Sequence, residues 1–127
     1  SMSNIANLLK ENQNNKDFVN AIEGYKRLKN IVKQNTTMDI NPKLFTIKDE
    51  IKLYEQFEII KSQFTNESIR KSPKKTLTGI LNITPFLSNF FENVLVMDKN
   101  EKIKNNRINL LTNIKNLISR FANLSEI

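Results

Sequence analysis

Apolar residues recur every three to four positions along most of this chain, which is the spacing of one face of an α-helix. The clearest stripe consists of Leu53, Phe57, Ile60 and Phe64. It predicts a helix that ends near Phe64 and begins at Thr46, where Thr46 and Asp49 resemble a capping box. Ile59 falls off the stripe, so we expect it to face a neighbouring helix.

Two helices are predicted ahead of this one. Ser3 is a suitable N-cap for a short helix that ends near Glu11. Asp17 is a suitable N-cap for a second helix that reaches about Lys33. The apolar stripe of the second helix is formed by Phe18, Ala21, Ile22, Tyr25, Leu28 and Val32. We therefore interpret Tyr25 as a core residue.

The C-terminal half predicts two long helical segments. After a connection from Thr65 to Lys71, Ser72-Pro73 reads as a helix start. Thr84-Pro85 predicts a restart or kink in that helix. Asp98 and Glu101 predict the cap of a final helix that ends near Asn123. No segment with strand periodicity is long enough to build a sheet, so the sequence predicts an all-α, single-domain bundle of five to six helices.

Charge and composition narrow the function. The chain has 20 Lys and Arg against 13 Asp and Glu, a net charge of +7. This excess favours polyanionic partners, either nucleic acid or an anionic membrane surface, although it can also serve solubility alone. A membrane-surface helix would need a free apolar face, and every apolar stripe here is required for the core. No apolar run is long enough to span a membrane.

Several kinds of chemistry are excluded. The chain has no His and no Cys, which rules out imidazole catalysis, Cys/His zinc sites and disulfides. Only two glycines occur, so no glycine-rich phosphate loop exists. Glu55 and Glu58 have the spacing of a helical acid pair, but no His accompanies them. We expect no catalytic residue, no metal site and no cofactor site in this chain.

The predicted second helix carries a polar, mostly basic face. Its members are Lys26, Arg27, Lys29, Asn30 and Lys33. Such a face could lie against phosphates, or it could be an ordinary solvated surface with cations near a helix C-terminus.

Two further features allow both a structural and a binding interpretation. Arg107 lies on the apolar stripe of the final helix, where a charge requires either a buried partner or a polar ligand. Phe90 and Phe91 could stack on unpaired bases or fill the core. Phe90 lies off the register that runs from Leu77 to Val94, so we expect Phe90 to be the available ring.

A family resemblance enters at the C-terminal end. Residues 90–97 read Phe-Phe-Glu-Asn-Val-Leu-Val-Met, and residues 103–111 read Ile-Lys-Asn-Asn-Arg-Ile-Asn-Leu-Leu. This resembles the C-terminal segment of bacterial glycyl-tRNA synthetase beta subunits, which reads close to Phe-Phe-Asp-x-Val-x-Val-Met, an acidic cap and Leu-Arg-x-Asn-Arg-Leu-x-Leu-Leu. Three other stretches are similar to that family, in order: residues 26–31, 41–45 and 120–125.

The resemblance implies an anticodon-binding domain of the DALR type. It implies a tRNA partner specific for glycine, and a parent subunit that pairs with a catalytic alpha subunit. The parent enzyme would ligate glycine to tRNA in the cytoplasm, with ATP and Mg used by its catalytic subunit. We expect residues 1–16 to hold a tag scar and a short helix, and residues 17–127 to form a monomeric anticodon-binding domain.

The resemblance also implies the RNA-facing residues. It carries over to Lys26, Arg27, Asn30, Asn106 and Arg107, and the full candidate set adds Lys29, Lys33 and Lys104. The family's Asp-Ala-Leu-Arg signature falls on Glu101-Lys102-Ile103-Lys104, where Lys104 cannot make a planar bidentate contact. The alternative function is a non-catalytic protein-interaction bundle with a basic surface, for which the signature marks helix packing.

Overall fold

Helices form all regular structure in residues 2–32 and 39–125, the part of the chain that this computed structural model describes. There are six α-helices and two short 3-10 turns, and no strand occurs within these residues. The α-helices are α1 (Met2–Asn12), α2 (Lys16–Ile31), α3 (Lys48–Ile60), α4 (Asn66–Lys71), α5 (Pro73–Asn93) and α6 (Glu101–Ser125). The 3-10 turns are Pro42–Leu44 and Lys61–Phe64. The prediction of an all-α bundle of five to six helices is confirmed.

Helix α5 lies at the centre and packs on α1, α2, α3 and α4. Its core face is formed by Leu77, Ile80, Ile83, Leu87 and Phe90, all buried. Removing each of these side chains from water contributes about 1.5–3 kcal/mol to folding. Asn93 at the end of α5 donates to Asp49 at the start of α3 over 2.8 Å. Helix α3 therefore runs antiparallel to α5.

Helix α6 covers the remaining side of the core and packs on α1, α2 and α3. The hydroxyl of Tyr25 in α2 lies 2.7 Å from that of Ser119 in α6. Tyr25 is half-buried at the edge of the core rather than enclosed by it. Ile5 of α1 is fully buried against this assembly. Within the described residues, no helix is both long and apolar enough to cross a membrane.

The predicted restart at Thr84-Pro85 is wrong, because α5 is continuous through Pro85, and the alternative of a kink there stays a prediction. Pro85 is exposed, so its ring projects away from the core. Ile83 and Leu87, on either side, stay buried in one helical register. The hydroxyl of Thr84 is buried and donates to the carbonyl of Ile80 over 2.8 Å.

The caps of α2 and α6 differ from those predicted by two residues. Asn15, and not Asp17, caps α2: its side-chain oxygen accepts from the backbone of Asp17 at 2.8 Å. Asn100 takes this place in α6 and accepts from the backbone of Lys102 at 3.0 Å. Asp98 instead accepts from the backbone N–H of Asn100 at 2.8 Å. These side chains satisfy N–H groups that the first helical turn leaves free.

Three other predictions in the middle of the chain need correction. Helix α3 begins after Ile47, and the carboxylate of Glu50, not a Thr46 cap, binds the free backbone groups there. The predicted connection from Thr65 to Lys71 contains α4, which Thr65 caps and Ile69 anchors in the core. Ile59 is 62% exposed and faces solvent, not another helix.

Candidate nucleic-acid interface

The candidate residues of α2 and α6 lie near the same end of α5. Arg27 of α2 contacts Phe91 in the last turn of α5. Arg107 of α6 donates to the carbonyl of Leu95, in the loop that follows α5. The sequence separates these groups widely, and the packing of α2 and α6 beside α5 brings them to one region.

The α2 members of the set form an open polar surface. Lys26, Arg27, Lys29 and Asn30 are all exposed. They are exposed because Ala21 and Leu28 turn the opposite face of the helix into the core. Lys33 lies outside the described residues. The four described side chains are free to meet a solvent-borne ligand.

An aromatic ring supports one of these cations. The guanidinium carbon of Arg27 lies 4.4 Å from the centre of the Phe91 ring, the geometry of a cation–π contact. Phe90 packs edge-on against Phe91 with ring centres 6.1 Å apart. Phe90 is fully buried and Phe91 is half-buried. The expectation that Phe90 is the available ring is therefore wrong, because the core face of α5 runs through Ile83, Leu87 and Phe90.

The candidate residues of α6 hydrogen-bond to other groups of the protein. Arg107 is buried, and its Nε donates to Oε2 of Glu50 at 2.7 Å. Its Nη1 donates to the carbonyl of Leu95 at 2.6 Å and lies 3.5 Å from Oδ2 of Asp98. Of the two interpretations, these contacts support a structural arginine. Contact between Arg107 and RNA stays a prediction.

Asn106 and Lys104 also have protein partners. Asn106 is buried, donates to the carbonyl of Asn41 at 3.0 Å and accepts from the N–H of Asn41 at 2.8 Å. Lys104 pairs with Glu101 at 3.1 Å, and its side chain is 23% exposed. Both edges of the Asn106 amide are thus engaged by the loop that precedes α3. Contact of these two residues with RNA likewise stays a prediction.

Sequence reasoning misses Glu50, whose position in the chain is typical of a carboxylate on a polar helix face. Its side chain is 1% exposed and joins the start of α3 to Arg107. The local signal is a Glu three residues after the N-cap, a position from which it can reach back to free N–H groups. Its pairing with a residue 57 positions away leaves no local signal.

A second polar cluster lies on the outer face of α3. The hydroxyl of Tyr54 donates to Glu58 at 2.6 Å, and Lys61 forms an ion pair with the same carboxylate. Lys61, and then Tyr54, hold the pKa of Glu58 below its ordinary value. Within the described ranges, no group of three or more acidic residues has a geometry suited to a metal ion.

Comparisons of the sequence with known proteins identify its relatives. The model of the DALR anticodon binding domain family matches residues 21–127. The glycine–tRNA ligase beta subunit of Thermodesulfovibrio yellowstonii is 36% identical over 111 residues, 87% of this chain and 16% of that protein. The beta subunit of Halothermothrix orenii is 37% identical over the same length and the same shares. That of Sulfurihydrogenibium sp. is 33% identical over 122 residues, 94% of this chain and 18% of that protein.

The chain therefore spans less than a fifth of the length of these relatives. The family match begins within α2 and continues to the last residue, so it contains both groups of candidate residues. Since the matched region is most of the sequence, and all regular structure described within it is helical, the chain belongs to the DALR anticodon binding domain family.

Proposed function

We propose that this domain binds the anticodon region of glycine tRNA as part of a glycine–tRNA ligase beta subunit. The observation that carries the proposal is the family match over residues 21–127, together with relatives that bear this name over 87–94% of the chain. In this proposal the domain supplies binding and no chemistry. A catalytic alpha subunit of the parent enzyme uses ATP and Mg to ligate glycine, in the cytoplasm.

The exposed face of α2 supports tRNA binding on physical grounds. Lys26, Arg27 and Lys29 place three exposed cations around the solvent side of α2. Cations of this kind attract the phosphate backbone and release its counterions, so affinity falls as salt is raised. Asn30 adds an amide that can both donate to and accept from a base edge.

The test is a titration of the isotope-labelled 127-residue chain with the anticodon stem-loop of glycine tRNA, followed by backbone amide shifts. We expect the largest shifts in α2 between Lys26 and Asn30, and weaker binding to a stem-loop with another anticodon. Affinity should fall linearly with salt on logarithmic axes. A flat salt dependence, or equal affinity for any stem-loop, would overturn the proposal.

A matched pair of variants locates the surface. Lys26→Ala with Lys29→Ala should weaken binding to every stem-loop and reduce the salt slope by about one for each phosphate that the chain no longer neutralises. Lys52 on α3 and Lys74 on α5 are exposed cations, and Lys52→Ala with Lys74→Ala, which removes the same two charges, should change neither quantity. An equal effect of both changes would show that only net charge matters.

The second candidate function is a protein-interaction surface. Leu95 and Met97, in the loop between α5 and α6, are 66% and 64% exposed. Large apolar side chains this exposed are typical of contact sites when they cluster. A chain that binds no RNA at physiological salt, yet stops binding a partner protein on Leu95→Ser with Met97→Ser, would favour this candidate.

A further inference from the structure

An open cleft lies between α2 and α5, beside the Arg27–Phe91 contact. Its walls are formed from α2 by Asn20, Glu23 and Arg27, and from α5 by Ser88, Phe91 and Glu92. Its volume is about 570 Å³, within the range of roughly 300–1,000 Å³ that is typical of small-ligand sites. A single planar group such as a nucleobase therefore fits between the two helices.

The cleft has a prepared stacking surface. The guanidinium carbon of Arg27 lies 4.4 Å from the centre of the Phe91 ring, and the buried ring of Phe90 packs edge-on against Phe91. Because Arg27 is exposed, a base can approach its guanidinium from solvent. Unpaired bases stack on guanidinium planes as they do on aromatic rings. Phe91 thus positions Arg27, and Arg27 presents the surface.

The polar groups of the cleft favour a base over a phosphate. Glu23 and Glu92 are exposed, and neither forms an ion pair with any residue in the described part of the chain. Two carboxylates beside one guanidinium repel a phosphate group. They accept hydrogen bonds from an exocyclic amino group, as Glu and Asp do from cytosine N4.

We propose that this cleft binds one unpaired base that carries an exocyclic amino group. The base stacks on Arg27 and donates its amino hydrogens to Glu23 or Glu92. This inference rests on the proposed function, because it takes RNA as the partner, and it adds the site and the chemical class of the base.

The first arm of the test separates stacking from charge. Arg27→Lys keeps the cation but removes the plane, so it should weaken stem-loop binding about 5- to 100-fold, nearly as much as Arg27→Ala. Phe91→Ala should have a similar effect and Phe91→Tyr a small one. Full affinity in Arg27→Lys would overturn the proposal, because it would show that only the charge contributes.

The second arm tests whether the carboxylates of Glu23 and Glu92 strengthen or weaken RNA binding. The variant Glu23→Ala with Glu92→Ala removes two negative charges together with both acceptors, so a surface that binds only phosphates would bind RNA more tightly. The proposed site should instead bind more weakly. The control Glu11→Ala with Glu55→Ala makes the same charge change at exposed positions on α1 and α3.

The third arm changes the RNA. Each loop base that carries an amino group is replaced in turn by uracil for cytosine, inosine for guanosine or nebularine for adenosine. One replacement should weaken binding to the unchanged chain about 10-fold and have no effect on the variant with Glu23→Ala and Glu92→Ala, since the two changes remove the same hydrogen bond. If the effects of the base replacement and of the protein variant on affinity add at every loop position, the proposal is overturned. If the unchanged chain binds the stem-loop but no variant and no base replacement changes the affinity, the cleft proposal alone is rejected. If the unchanged chain does not bind the stem-loop at all, the proposed function is rejected as well.

Discussion

Arg107 of α6 and Glu50 of α3 form a buried ion pair, with 2.7 Å between Nε and Oε2 and side chains 5% and 1% exposed. The same guanidinium donates to the carbonyl of Leu95 at 2.6 Å. The second oxygen of Glu50 accepts from the backbone N–H groups of Thr46 and Ile47. One pair of side chains therefore joins α3, α6 and the loop between α5 and α6.

Arg107→Ala should destabilise the fold strongly. It leaves the Glu50 carboxylate buried without its cation, and breaking a buried pair in this way costs about 3–5 kcal/mol. Urea denaturation of the variant measures the loss of stability. Arg107→Lys keeps the positive charge but lacks the planar guanidinium that donates to both Glu50 and Leu95. It should therefore lose less stability than Arg107→Ala.

Lys104→Ala is the control for that experiment. Lys104 pairs with Glu101 at 3.1 Å, and the Glu101 side chain is 75% exposed. Solvent screens such a pair, so its removal should cost under about 1 kcal/mol. If Arg107→Ala were no more damaging than Lys104→Ala but abolished RNA binding, Arg107 would face the ligand.

The sequence predicts the helices well because apolar periodicity is a local property. The apolar stripe of α6 predicts burial at position 107, and Arg107 is buried. The partner is not predictable, since Glu50 lies 57 positions away and meets Arg107 only through packing of α3 beside α6. The predicted starts of α2 and α6 are misplaced by two residues because Asn and Asp cap helices about equally well.

The candidate site is also predictable in part, because the exposure of one helix face is a local property of the sequence. The exposed face of α2 follows from its periodicity, and Lys26 to Asn30 lie on it. Phe91 is missed because the register expected from Leu77 to Val94 leaves Phe90 outside the core and places Phe91 within it. In the continuous helix, Ile83, Leu87 and Phe90 line up on the core side, which leaves Phe91 beside Arg27. A contact between two helices has no signature in either helix alone.

Asn106→Ala should loosen the loop before α3. Asn106 exchanges two hydrogen bonds with the backbone of Asn41, at 2.8 and 3.0 Å. Each such hydrogen bond contributes about 0.5–1.5 kcal/mol, so the loss of both costs about 1–3 kcal/mol. Hydrogen exchange should show faster exchange of the Asn41 amide.

Asn106→Asp provides the comparison, because a carboxylate can still accept from the Asn41 N–H but cannot donate to its carbonyl. Protection of the Asn41 amide should then persist while stability falls. Unchanged exchange in Asn106→Ala would contradict the assigned role of Asn106.

Glu58 should give a small, acid-sensitive contribution to stability. Its ion pair with Lys61, and then its hydrogen bond from Tyr54, lower its pKa in the folded chain from the ordinary value of 4.5. A carboxyl with a lowered folded pKa stabilises the fold above its unfolded pKa, and the effect is lost as pH falls through the folded pKa. The Glu58 side chain is 36% exposed, so screening keeps the contribution under about 1 kcal/mol.

The check compares urea midpoints of the unchanged chain and Glu58→Gln across pH. The unchanged chain should be slightly more stable near neutral pH, and the difference should disappear in acid, below the ordinary pKa of 4.5. Tyr54→Phe should raise the pKa of Glu58 by removing one hydrogen bond, as carboxyl carbon shifts would report. A Glu58 that titrates at or above 4.5 in the unchanged chain would contradict this.

Gly24→Ala should stabilise the fold, since Gly24 lies inside α2 and has no positive φ. An added Cβ would lie 3.4 Å from Cδ2 of Leu87, which is ordinary contact. Replacing a helical glycine with alanine gains about 0.5–1 kcal/mol in propensity and unfolded-state entropy. Gly79→Ala should gain less, because its Cβ would meet Oε1 of Gln63 at 3.1 Å and Gln63 must shift. Urea midpoints rank the two variants, and a destabilised Gly24→Ala would mean that α2 and α5 have no room for a methyl group between them.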